Sequence, residues 1–228
     1  MKKHIPNSIT ALNLFSGCIG VVMVLQQEFQ LAFYCVLASG LFDFCDGMMA
    51  RALRVKSNIG KELDSLADVV SFGLLPGAVL FIMLGGTAGS NPLAYLGFLV
   101  TIFSAFRLAK FNVDTRQDTD FIGVNTPMNT FVIIALPFIA EQHEWVGHVG
   151  LLLGITLLSS LLLVSEIRLF SMKLDNLRWA ENRFKFIFLG ISLILIVTLR
   201  FIALPLILLV YIGLSQWHFA QNSSKKAD

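Results

Sequence analysis

Apolar runs close to the ~20 residues needed to cross a bilayer recur along this chain, at roughly 8–26, 31–53, 62–84, 92–111, 126–142, 147–167, 184–199 and 200–218. That repetition leaves few options. In hydrocarbon every backbone N–H and C=O must be satisfied inside the protein, and a segment that crosses on its own does so as an α-helix. Composition agrees: 56% of the 228 residues are hydrophobic and 14% are charged, against about 25% charge in a soluble domain. The mean hydropathy is +0.75. The expectation is an all-α polytopic membrane protein of about eight transmembrane helices, one integral membrane domain over 1–228. Its core covers about 5–167 and a C-terminal helical hairpin about 184–218. The fifth run is the weakest, short and interrupted by Pro137. The last two together exceed one span, and Pro205 marks the natural break between them. The first run reads as a span rather than a cleavable signal, being long and lacking a small-residue cleavage site. Nothing points to a separate soluble domain, a repeat or a nucleic-acid partner.

Charge sets the orientation. With the N-terminus in the cytoplasm, every one of the 17 Lys and Arg residues except Arg200 falls on the inner side, as the positive-inside rule requires. Lys2, Lys3, Lys56, Arg116, Lys173, Lys225 and Lys226 belong to that set. The outer loops, around Gln26–Phe29, Gly85–Asn91 and Glu141–His148, carry no Lys or Arg. Trp145 and Trp217 fall where interfacial aromatics belong. Cys18, Cys35 and Cys45 lie inside apolar runs without metal or disulfide spacing and read as packing residues. His143 and His148 read as polar loop residues. The expected location is the cell (inner) membrane, with both termini inside.

One stretch breaks the apolar pattern: Asp43 to Asp68, DFCDGMMARALRVKSNIGKELDSLAD. Residues three or four apart share a helix face, so Asp43 projects with Asp46, and Asp64 with Asp68. Gly47 and Ala50 continue the first face and Gly60 begins the second, leaving room for a bulky substrate at the backbone. Arg51 to Lys61 forms a basic turn, short enough to fold the two helices back to back. A single ionised Asp at mid-bilayer costs about 2.5–3.5 kcal/mol even on the lenient scale. Four convergent carboxylates therefore need cations, and they suit a pair of hard divalent ions, Mg²⁺ or Mn²⁺. Arg51 and Ser57 are the nearby phosphate partners, by guanidinium fork and hydroxyl. Arg54, Lys56 and Lys61 read as a solvated loop facing anionic lipid.

Written out, the stretch is D-x-x-D-G-x-x-A-R, eight intervening residues, then G-x-x-x-D-x-x-x-D. It resembles the signature of the CDP-alcohol phosphatidyltransferases, integral membrane enzymes of phospholipid synthesis, with every fixed position filled. The resemblance implies a six-helix core, CDP-diacylglycerol as donor, two metal ions and a homodimer. It implies metal ligation by Asp43, Asp46, Asp64 and Asp68, with Asp68 also the general base. Gly47, Ala50, Arg51, Ser57 and Gly60 would then bind the lipid nucleotide. At the N-terminus Pro6 and Asn7 could simply start a helix. However, P-N-x-x-T-x-x-N resembles the family's nucleotide-holding segment, placing Asn7, Thr10 and Asn13 at the inner mouth of the first span.

The acceptor is read from two further stretches. D-S-L-A-D-x-V-S-F-G-x-x-P is similar to the serine-accepting branch of the family. Within it Ser71 follows Asp68 by one helical turn, although Ser71 and Gly73 could equally serve close packing. Pro76 is expected to kink the third span, freeing carbonyls that a cavity must satisfy. The fourth span ends in FRLAKFN, where Arg107, Lys110 and Asn112 again resemble the serine branch, Lys110 standing where Arg is common. A span-end cation can also merely snorkel to the headgroups, the default for Lys110. The implied reaction passes a phosphatidyl group to the hydroxyl of L-serine and releases CMP, with the lipid tails entering from the surrounding membrane lipid. Glycerol 3-phosphate or an inositol compound are the alternative acceptors, and a divalent-cation transporter is the remote alternative. Downstream, Asn125 replaces an expected Pro, and Arg168–Lys185 reads as an interfacial helix. The resemblance is strong over about residues 5–130.

Overall fold

The computed structural model describes residues 4–55, 57–86, 91–114, 120–172 and 178–224. The basic residues Lys2, Lys3, Lys56, Arg116, Lys173, Lys225 and Lys226 lie outside them. The described chain is almost wholly helical, as the apolar runs require. Its helices are α1 (His4–Leu25), α2 (Phe29–Ala52), α3 (Asn58–Val69), α4 (Leu75–Met83), α5 (Leu99–Val113), α6 (Thr126–Gln142), α7 (Val149–Val164), α8 (Trp179–Leu199) and α9 (Ala203–Ser224). Five stretches are long and apolar enough to cross a bilayer: His4–Leu25, Phe29–Ala52, Asn58–Met83, Pro92–Val113 and Asn182–Gln221. The helix bounds follow the eight apolar runs within a few residues. The weak fifth run is α6, which is buried from Val132 to Ile139 even though Pro137 interrupts it. A helix surrounded by protein needs no long lipid-facing stripe.

Helix α1 is the spine of the N-terminal half. It packs along α2, against α3 and against α4, presenting a face of small and polar residues: Pro6, Thr10, Asn13, Ser16, Gly17 and Gly20. Small residues let helices approach where lipid offers no hydrophobic drive. At Gly17 a β-carbon would stand 2.3 Å from Ser71 Oγ and 2.9 Å from Ser71 Cα. Because α1 occupies this position, α2 and α3 make little direct contact. The expected back-to-back pair is thus a pair splayed over α1, with space between its inner ends.

The third span does not simply kink. Val70–Leu74 winds as a π turn joining α3 to α4. Pro76 lacks an N–H and crowds the carbonyl four residues back, and the wider turn accommodates it. The freed carbonyls meet no cavity. Thr130 Oγ1 donates to Phe72 O at 2.9 Å, and Thr101 Oγ1 donates to Gly73 O at 3.0 Å. Neighbouring helices satisfy this break, as the membrane interior demands.

Three other expectations are corrected in the second half. Arg168–Leu169 is a short strand, β2, paired antiparallel with β1 (Phe121–Ile122), and α8 begins only at Trp179. Among the described residues of 168–185, then, Arg168–Leu169 is strand and helix starts only at Trp179, while residues 173–177 of the expected interfacial helix lie outside the described residues. The break between the last two helices falls at Arg200, which adopts φ 51°, and not at Pro205. Pro205 sits in the first turn of α9, where its missing N–H costs nothing. Finally, Asn125 caps α6, its Oδ1 accepting from Met128 N at 2.9 Å, a task its side chain performs and Pro cannot. Under the α8–α9 hairpin Val124, Val132, Leu169, Phe170, Leu208 and Tyr211 form a second apolar core. Tyr211 donates its hydroxyl to Phe170 O at 2.6 Å.

Candidate active site

The two carboxylate pairs do converge. One oxygen from each of Asp43, Asp64 and Asp68 lies within 4.8 Å of the others, so side chains of α2 and α3 meet although their backbones stand apart. Asp46 lies beside this triad and is tied to α1: Thr10 Oγ1 donates to Asp46 Oδ2 at 2.6 Å. Asp68 is held the same way, Asn13 Nδ2 donating to its Oδ1 at 3.1 Å. The i, i+3, i+6 spacing of Asn7, Thr10 and Asn13 keeps all three near one face of α1. Ser39 and Ser71 both donate to Asn13 O, at 3.2 and 3.1 Å, which pins that turn against α2 and the π turn.

The donor set fits a metal. Asp64 Oδ1 is buried without any hydrogen-bond partner. Among the described residues no lysine or arginine forms an ion pair with any of the four carboxylates. An uncompensated buried carboxylate is among the most costly groups a protein can hold, and an all-oxygen cluster is the ligand type that hard divalent ions select.

Beside the triad opens a cleft of about 420 Å³. Asp46 and Asp64 form its acidic end, and Asn7, Thr10, Gly47, Ala50, Ser57 and Gly60 line it. Gly47 faces open space, with nothing within 4 Å of where a β-carbon would stand. Gly60 is different: a β-carbon would lie 2.8 Å from Ser57 Oγ and 3.0 Å from Asn7 Oδ1. Its smallness lets α1 and the α3 cap close around the cleft. Ser57 caps α3, accepting from Gly60 N at 2.9 Å, and its hydroxyl hydrogen remains available to an anion. Arg51 is exposed at the end of α2 and is not among the lining residues. Lys61, read from sequence as a solvated loop cation, does line the cleft, as do Val55 and Asn58. Its Nζ donates to Asn112 O at 2.7 Å, linking α3 to the end of α5. Its place one residue after Gly60, within a turn of Asp64, is the signal that could have found it.

The four acceptor candidates separate clearly. Ser71 is fully buried with its hydroxyl bonded to α1, so it serves the close packing also foreseen. Lys110 pairs with Glu166 at 2.5 Å on the surface. Asn112 donates to Ser65 Oγ at 2.9 Å. Arg107 alone has capacity to spare: it is 7% exposed, its Nε has no partner, and its guanidinium lies over the Phe111 ring at 5.7 Å. Its charge interacts with Asp68.

Known proteins resemble this chain in sequence. The model of the CDP-alcohol phosphatidyltransferase family matches residues 3–164. A Helicobacter pylori protein named CDP-diacylglycerol–serine O-phosphatidyltransferase is 30% identical, over 94% of this chain and 91% of its own length. A Bacillus subtilis protein of the same name is 32% identical over 59% of this chain and 76% of its own. One from Saccharomyces cerevisiae is 40% identical over 50% of this chain and 43% of its own.

Proposed function

The chain belongs to the CDP-alcohol phosphatidyltransferase family, and from that premise we propose that it transfers the phosphatidyl group of CDP-diacylglycerol to the hydroxyl of L-serine. The products are phosphatidylserine and CMP. The observation that carries the reading is the carboxylate triad beside a cleft lined by small and polar residues, with Asp64 common to both. Relatives that align over nearly the whole chain and bear the name of that activity supply the acceptor.

In this reading Asn7, Thr10, Ser57 and Lys61 hold the nucleotide and its diphosphate in the cleft, and Gly47 and Ala50 leave room for it. Arg51, exposed beside the cleft, reaches the diphosphate from the rim. Asp43, Asp46, Asp64 and Asp68 hold two divalent ions, Mg²⁺ or Mn²⁺, which when bound neutralise the diphosphate and the charge on the departing CMP. Asp68, aimed by Asn13, takes the proton of the serine hydroxyl. The freed oxygen bonds to the phosphatidyl phosphorus while the bond from that phosphorus to the CMP oxygen breaks. Arg107 receives the serine carboxylate on its planar fork. Lys110 and Asn112 shape the entrance from the surface. The termini and cleft face the cytoplasm of an inner-membrane protein, lipid tails enter from the bilayer, and the working unit is a homodimer.

The test is CMP release from CDP-diacylglycerol by the purified protein, with serine, glycerol 3-phosphate, inositol and inositol phosphate offered in turn. Serine-dependent release with phosphatidylserine as product is expected. Release that depends on glycerol 3-phosphate or an inositol compound would keep the family and remove serine.

A further inference from the structure

Four buried polar side chains on α5 and α6 carry atoms without partners: Ser104 Oγ, Arg107 Nε, Thr126 Oγ1, and both Nδ2 and Oδ1 of Asn129. Asn129, Thr126 and Ser104 are 0% exposed. The large majority of buried side-chain polar atoms in proteins find a partner, protein or water, so a buried carboxamide with both ends free of protein partners is set to receive a polar one.

Helix register sets these atoms at one level of the bundle. Thr130 bonds Phe72 O, and Ser104 lies against Gly73. One turn from Phe72 toward the acidic motif is Asp68; one turn from Thr130 is Thr126, and one turn from Ser104 is Arg107. The antiparallel run of α5 along the third span is fixed by Gly73 meeting Ser104, Gly77 meeting Thr101 and Gly97 meeting Phe81. Asn129 lies on α6 between two mapped directions. Thr130, on one side, faces Phe72, while Met128 and Val132, on the other, pack in the core that contains Tyr211. Arg107 lies one turn beyond Ser104 on α5, buried, with its guanidinium over the Phe111 ring. At 100° per residue, Asn129 on α6 and Arg107 on α5 thus fall at the level of Asp68, on the two helices that pack against the third span.

We propose that Asn129, supported by Thr126, is the specificity-determining residue for the acceptor, reading the amino end of a zwitterionic amino acid whose carboxylate lies on Arg107. This rests on the reading of serine as acceptor. Arg107 offers only donors, which suits a carboxylate. An ammonium group needs acceptors, and Asn129 Oδ1 and Thr126 Oγ1 are unspent acceptors that carry no charge to repel or neutralise the guanidinium. A phosphate-bearing acceptor presents no cation for these acceptor atoms to hold. A neutral polyol gains less, because a hydrogen bond to a charged group is the stronger kind.

Steady-state kinetics of Asn129→Ala and Asn129→Leu in the full-length protein, varying serine and CDP-diacylglycerol separately, tests this. The expected result is a KM for serine raised tenfold or more, a KM for CDP-diacylglycerol within twofold of wild type, and a smaller change in kcat. Thr126→Val should raise the serine KM less, in the same direction. If Asn129→Ala does not fold, serine-induced thermal stabilisation of Asn129→Ser and Thr126→Val replaces the kinetics, and loss of the serine shift is expected. An unchanged serine KM, or an unchanged serine shift, with a lowered melting temperature would mean that the carboxamide binds water for structure, and the proposal fails. A wild-type protein with no serine-dependent turnover would overturn the acceptor reading together with this proposal.

Discussion

Thr10 Oγ1 donates to Asp46 Oδ2 across 2.6 Å, joining residues 36 positions apart. The first span is thereby built into the acidic site rather than merely packed beside it. Partners that orient a metal-ligating group typically change metal affinity or activity by 10–100-fold when removed. Thr10→Val should therefore raise the divalent-ion concentration needed for half-maximal CMP release by about tenfold, and Thr10→Ser should restore it. Equal metal dependence in wild type and Thr10→Val would reduce the contact to packing.

In the proposed reading Asp43 and Asp64 only hold ions, whereas Asp68 holds one and also moves a proton. Asp43→Asn and Asp64→Asn should weaken Mn²⁺ binding in a direct titration and abolish turnover. Asp68→Asn should abolish turnover while CDP-diacylglycerol still protects the protein against heat. General-base catalysis contributes roughly 10²–10⁴-fold, so an Asp68→Asn enzyme running above about a tenth of the wild-type rate would displace that residue as the base.

Arg107 and Lys110 share a helix face but not a fate. A hydrogen bond to a charged group is worth about 1.5–3 kcal/mol, or roughly ten- to a hundredfold in affinity. Arg107→Ala should raise the serine KM by that order and leave CDP-diacylglycerol alone. Lys110→Ala, which breaks only a surface pair with Glu166, should change it less than about fivefold, as expected for exposed ion pairs worth about 0–1 kcal/mol. A mutant that loses lipid-nucleotide affinity and keeps its serine KM would move Arg107 to the diphosphate.

Two glycines should fail in opposite ways. Gly17→Val drives side-chain atoms into Ser71 backbone, an overpacking that costs about 1–3 kcal/mol and should lower the melting temperature by several degrees. Gly47→Val meets open space, so the melting temperature should hold while the KM for CDP-diacylglycerol climbs. Matching thermal losses in both would mean that Gly47 is also a packing position.

Orientation is checked with single cysteines placed at Arg54 and Glu144 after Cys18, Cys35 and Cys45 are replaced. An impermeant thiol reagent outside intact cells should label position 144 alone. Labelling at 54 would place the cleft on the outer face.

The site was legible where chemistry repeats at helical spacing. Asp43 with Asp46, Asp64 with Asp68, and Asn7 with Thr10 are local patterns on continuous helices, so a period of 3.6 was enough to group them. What escaped depends on partners distant in sequence. The β1–β2 pair joins Phe121 to Leu169, and two-residue strands carry no periodic signal. Ser71 follows Asp68 by one turn, but the Asn13 carbonyl of α1 is what commits its hydroxyl. Lys61 sits in a basic turn, and only the return of α5 to Asn112 shows that its side chain is occupied. The eight apolar runs were readable from composition alone, whereas the break at Arg200 depends on a left-handed backbone that Arg does not announce.

The π turn at Val70–Leu74 has one more consequence. Such a turn carries one extra residue, about 100° of rotation, between the two halves of the third span. It works as a phase shifter: the half that beds Gly77 against Thr101 and the half that aims Asp64 and Asp68 at Asp43 take their angles independently. Deleting a single residue within 70–74 would leave the bedded half seated and swing both carboxylates off target. One residue of slack lets a rod built to suit its neighbours also point where the chemistry is.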